Sequence, residues 1–165
     1  MRSYPSRKQV EKFLGSVVQP ALADLHREFS QQGYAPELEA TTDPTTGITA
    51  QRLTVSFTDH RTFQYQAQAV EAHVPTFGGR GSMSRGDDVF YRVEVFTQTG
   101  SEGYDLYGLN QQQVIDDVLD RYEAHLGFLA YSQQHDLSSV VTPPPVVEPV
   151  IEGPVEPAEE TPEKE

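Results

Sequence analysis

The chain has 165 residues, 25 acidic against 12 basic, a formal net charge of −13 and no cysteine. That length suits one modest domain with a core of its own. The missing cysteine excludes disulfides, thiolate metal sites and a cysteine nucleophile, and the acidic balance argues against nonspecific nucleic-acid binding, which depends on basic patches.

The opening MRSYPSRKQV lacks the apolar core of a signal peptide, and no stretch reaches the about 20 apolar residues that cross a bilayer, so a soluble, cytosolic polypeptide is expected. The first periodic segment runs from about Ser6 to Gln32. Val10, Phe13, Leu14, Val17, Val18, Ala21, Leu22, Leu25 and Phe29 repeat there at three and four residues, which predicts an amphipathic helix. Pro20 has no amide donor and predicts a kink or break near Val17 to Gln19, and Gly33 supplies the stop.

The period then changes to alternation. PELEATT at 36–42 and ITAQRLTVSF at 48–57 flank the turn residues Asp43, Pro44 and Gly47, which reads as a hairpin. TDHR at 58–61 allows a second reversal into TFQYQAQAVEAHV at 62–74, with Phe63, Tyr65, Ala67 and Ala69 on one face and glutamines on the other. A fourth strand, VFYRVEVFTQT at 89–99, sets Val89, Tyr91, Val93 and Val95 against Arg92 and Glu94. The connecting loop at 75–88 carries four glycines, Phe77, Arg80 and Arg85, and a loop of that length is expected to be mobile or functional.

The last helix is announced by its cap. Asn110 is an N-cap residue, Gln113 its capping-box partner, and Leu109 with Val114 occupy the staple positions, so the helix starts at Gln111. Its predicted stripe is Ile115, Val118, Leu119, Tyr122, Leu126 and Leu129, with Asp116, Asp117, Asp120, Arg121 and Glu123 facing water. The expected fold is α+β: a four-stranded antiparallel sheet in α-β-β-β-β-α order with both helices on one face. From Thr142 onward there are seven glutamates, seven prolines and only Lys164 to oppose them, a net of −6 that leaves −7 for the residues before. Such a composition cannot offset its ordering entropy. The division expected is therefore an α+β domain at 1–135 and a disordered Pro/Glu-rich tail at 136–165.

No chemical constellation emerges. GGRG at 78–81 is followed by neither a lysine-serine pair nor a helix, so it is no phosphate cradle. His26, His60, His73, His125 and His135 are scattered, and the carboxylates of Asp116, Asp117 and Asp120 are those that a helix dipole favours near its start. Tyr104, Tyr107 and Tyr122 could form an aromatic cage for a quaternary ammonium group or pack in the core. Neither an enzyme nor a cofactor or metal site is expected.

SYPSRKQVEKFLGSVVQPAL, followed by VFYRVEVFTQTGSEGYDLYGLNQQQVIDDVLDRYEAHLGFL, resembles the cytoplasmic carboxy-terminal extension of bacterial proton-coupled choline transporters of the betaine-choline-carnitine transporter family. The resemblance covers roughly residues 3–132 and is sharpest at the last helix. In that family a bundle of twelve spanning helices moves choline, and the extension is implicated in osmotic regulation of uptake. The resemblance thus implies a regulatory, osmosensing domain without transport activity by itself, on the cytoplasmic side of the bacterial inner membrane, or soluble in the cytoplasm if the chain stands alone. The implied partners are the membrane portion of a choline transporter, an anionic lipid surface and, through the transporter, a homotrimer. Arg2, Arg7, Lys8 and Lys12 make a basic start to an acidic chain, and with Phe77, Arg80 and Arg85 of the loop they are the expected membrane or transporter contacts. The alternative is a free-standing soluble module that binds a small molecule, choline or betaine, through its tyrosines, or binds a protein.

Overall fold

The computed structural model describes residues 4–57, 61–73 and 89–134. The 75–88 loop and the 136–165 tail named above lie outside them. The first helix, α1 (Arg7–Phe13), opens on Ser6, whose hydroxyl accepts from the Gln9 amide while the Gln9 side chain accepts from the Ser6 amide, a complete capping box. Leu14–Val18 is a π turn in which the Gln19 amide reaches back five residues to Leu14. It leads into α2 (Gln19–Gln31), with Pro20 in the first turn. Proline has no amide to donate, and a wider turn just before it absorbs the gap, so the predicted break is a π turn in a continuous helical rod. Gly33, at φ +88°, ends α2. Tyr34 donates to Phe29, Gly33 donates to Ser30, and the Tyr34 and Phe29 rings meet edge-on at 6.0 Å, the contact that accompanies this glycine stop.

The sheet is antiparallel and has five strands, not the four expected: β1 (Ala35–Thr42), β2 (Thr49–Ser56), β3 (Thr62–His73), β4 (Val89–Thr97) and β5 (Gly100–Asp105), in the order β1-β2-β3-β4-β5. The β1–β2 hairpin closes on Asp43, whose carboxylate accepts from the Thr45 and Thr46 amides and the Thr46 hydroxyl, with Gly47 at φ +68°. The fifth strand, GSEGYD, falls in a stretch to which the sequence pattern assigned no element. Glycine, serine and aspartate disfavour strands, and here the pairing is carried by β4, with a register shift between Glu94 and Phe96. Asp105 secures the exit by accepting from the Val93 and Tyr107 amides.

The last helix, α3 (Gln111–Gln134), begins where expected: the Gln113 amide donates to Asn110 Oδ1 and the Asn110 amide to Gln113 Oε1, both at 2.9 Å. Leu53 opposite Tyr65 and Ala67 opposite Val95 turn one sheet face toward the helices. These residues, with Phe63 and Val93, share a single core with Val10, Leu14, Val18, Leu22 and Phe29 of the helical rod and Val114, Val118 and Tyr122 of α3. The other face is polar. Arg52 bridges Glu39 and Gln66, and Gln66 donates to Gln68. Glu94, almost fully buried, accepts from Arg92 and Ser101.

Candidate interaction surfaces

At the start of the chain the basic residues divide. Arg7 is bound within the fold: its Nε lies 3.0 Å from Glu11 and its guanidinium donates to the Gly47 carbonyl at 3.2 Å, fastening α1 to the β1–β2 hairpin. Gly47 is needed there twice, for its backbone angle and because a Cβ would stand 3.0 Å from that guanidinium. Lys8 and Lys12 are exposed one turn apart, and neither meets a carboxylate among the described residues. Lys12 rims a shallow groove of about 340 Å³ floored by Phe13, Val17 and Tyr107. Arg2, Phe77, Arg80 and Arg85 lie outside the described residues.

Helix α3 is turned from its expected orientation. Val114, Val118 and Tyr122 are buried, Ile115 is half-buried, and Leu119 and Leu126 face solvent. Two strands hold it there: Asp117, expected in water, accepts from Tyr65 Oη of β3 at 2.6 Å and from Tyr104 Oη of β5 at 2.7 Å. Arg121, one turn on, lies 5.3 Å from the centre of the Tyr104 ring and donates to Glu102, which also accepts from Thr97. The network stitches β3, β5 and α3 together. Burial first, and then Asp117 through its hydrogen bonds and its charge, raise both phenols well above the ordinary tyrosine range, so both stay protonated donors. Sequence reasoning missed this group, although Tyr65 on the inner parity of its strand and the i, i+4 pair Asp117 and Arg121 were its signal.

Beside the network a cleft of about 240 Å³ is lined by Gln98, Glu102, Arg121, His125 and Phe128. His125 Nδ1 pairs with the Gln98 amide group at 2.9 Å, and its ring packs against Phe57 and Phe63. Burial, and then the charge of Arg61, hold its pKa below the usual histidine value. Of the two uses weighed for the three tyrosines, packing and hydrogen bonding are what the fold makes of them: Tyr104 donates to Asp117, Tyr107 packs on Phe13, and Tyr122 sits among Phe29, Phe57 and Phe63. Burial and then a hydrogen bond with Tyr34 push Tyr122 up to about 12. No group of three potential metal ligands occurs among the described residues, and His60 and His135 fall outside them.

No helix among the described residues is long and apolar enough to cross a membrane. No protein-family model matches the chain. It is 31% identical over 127 residues to the osmo-dependent choline transporter BetT2 of Acinetobacter baylyi, covering 76% of this chain and 18% of that protein. It is 30% identical over 145 residues to the high-affinity choline transport protein of Escherichia coli, covering 87% of this chain and 21% of that one. A glycine betaine transporter of Acinetobacter baylyi is 29% identical over 128 residues, 77% of this chain and 18% of that protein. The chain spans about a fifth of the length of these curated relatives.

Proposed function

From the premise that this chain is homologous to one segment of the bacterial choline and glycine betaine transporters of the betaine-choline-carnitine family, we propose that it is a cytoplasmic regulatory domain that senses osmotic conditions and sets the activity of such a transporter. The observation that carries this is the homology itself, which includes a relative named for osmo-dependent choline transport. The charge pattern supports it. Lys8 and Lys12 form an unpaired basic edge on an acidic chain, suited to an anionic leaflet beside the transporter. Each is worth about 1 kcal/mol there, an attraction that weakens as salt shortens the screening length.

Arg7 contributes less to such a contact because Glu11 and Gly47 hold it, and Arg2, Phe77, Arg80 and Arg85 stay in the proposal as sequence-level contacts. A domain of this kind shifts its transporter between less and more active states only by its differential affinity for them, about 1–3 kcal/mol for typical couplings. The division into a regulatory unit at 1–135 and a tail at 136–165, and the assembly as trimers through the transporter, belong to the same reading. The test is a transporter that carries this segment, with Lys8→Glu and Lys12→Glu, assayed for choline uptake against osmolality. The osmotic threshold is expected to move, and an unchanged threshold would remove the basic edge from the mechanism.

A further inference from the structure

Six large apolar side chains are exposed among the described residues, and three of them, Leu119, Leu126 and Phe128, stand on α3. Leu119 and Leu126 are seven residues apart, about two helical turns, so they form one line along the helix, 37% and 38% exposed. Gly127 keeps the surface beside them low: a Cβ there would meet nothing within 4 Å. Along the flank of that line run Asp116, Asp120 and Glu123, all exposed. Asp116 accepts only from Gln112 of its own helix, and no cation among the described residues reaches Asp120 or Glu123. The helix contains no lysine, and its one arginine is held by Glu102 on the opposite flank.

We propose that this face of α3 docks a helix of a partner protein, one whose apolar stripe is edged by lysines or arginines. Leucines two turns apart suit the ridge-and-groove contact of a second helix. The charges then select the occupant. An anionic leaflet would be repelled by the carboxylate row, and α3 of a second copy laid alongside in parallel would set carboxylates against carboxylates, whereas a cationic edge pairs with all three. Cytoplasmic segments of membrane proteins are enriched in lysine and arginine, so, resting on the function proposed above, the partner helix lies on the cytoplasmic surface of a transporter's membrane part. The domain then holds by two contacts of opposite sign, the α1 lysines on lipid and the α3 carboxylates on protein, and rising salt weakens both.

The test uses the 165-residue chain and a labelled synthetic helical peptide with leucines at three- and four-residue spacing and lysines along one edge, followed by fluorescence anisotropy. Saturable one-to-one binding is expected, weakened at least tenfold by Asp120→Lys with Glu123→Lys and by Leu119→Gln with Leu126→Gln, and absent for the same peptide with glutamates in place of lysines. All four positions are exposed, and a thermal melt verifies that each variant folds. Binding that fails to saturate, or that the charge-reversed chain retains, overturns the proposal, as do amide NMR shifts induced by the peptide away from α3. A failed titration alongside an uptake threshold that responds to Lys8 and Lys12 removes this face and keeps the regulatory reading; the converse result assigns the face to a different partner.

Discussion

Asp117 is the residue on which the helix layer turns, because two phenols on different strands donate to one carboxylate. Asp117→Ala leaves both hydroxyls without their acceptor and should lower unfolding free energy by about 2–3 kcal/mol. Tyr65→Phe should cost less in the native chain and almost nothing further in the Asp117→Ala background, a coupling that denaturant melts of the four chains would measure. Equal, additive losses would show that the phenols act independently. His125 makes a pH prediction of definite sign. Its folded-state pKa lies below the ordinary 6.5, so the unfolded chain binds its proton first as pH falls. Stability is therefore untouched well above that value and declines below it. Thermal melts from about pH 7 to about pH 5 should show a loss that His125→Gln removes, while carboxylates titrate only at more acid pH. A His125→Gln chain with the same acid-side decline would trace that loss to other groups.

At the scale of elements, helix starts and stops were legible because each rests on a few local side chains. Asn110 and Gln113 cap α3 as their spacing predicts, Gly33 ends α2, and Pro20 marks a π turn. Asn110→Ala should cost about 1 kcal/mol in chemical denaturation, and Asn110→Ser should recover most of it. The strand at Gly100–Asp105 was not legible, since its residues are poor strand formers and its order comes from pairing with β4. The misreading of α3 followed from that omission. Without β5, Asp117 and Arg121 lose Tyr104 and Glu102 as neighbours, and the expected stripe ran too far round the helix: Val118 and Tyr122 are buried as expected, Ile115 is half-buried, and Leu119 and Leu126 lie on the exposed side. Of the basic residues at the start of the chain, Lys8 and Lys12 are exposed, while Arg7's attachment to Gly47 is a tertiary contact that composition does not carry.

Among the described residues, both lysines stand exposed on α1 while Asp116, Asp120 and Glu123 stand exposed on α3, so one fold carries a basic edge and an acidic one. A chain ending at the proposed boundary of 135 should melt within about a degree of the full chain, because a segment so rich in proline and glutamate is expected to add little to folding free energy. A markedly lower melting temperature would move the boundary into the tail. The plain order of the sheet bears on how the chain assembles. Each strand pairs with the one next in sequence, so the meander can zip by local loop closures, short everywhere but between β3 and β4, and the entropic cost of closure grows only slowly with loop length. The amino-terminal helices cannot finish so early: the Tyr91 amide meets the Pro5 carbonyl and Gln111 meets Asp24, contacts that join the two ends of the folded part. During synthesis the first helix must therefore wait, its apolar stripe uncovered, until the strands that complete its resting place have left the ribosome. That interval is the one in which a newly made chain is most open to chaperones and to aggregation.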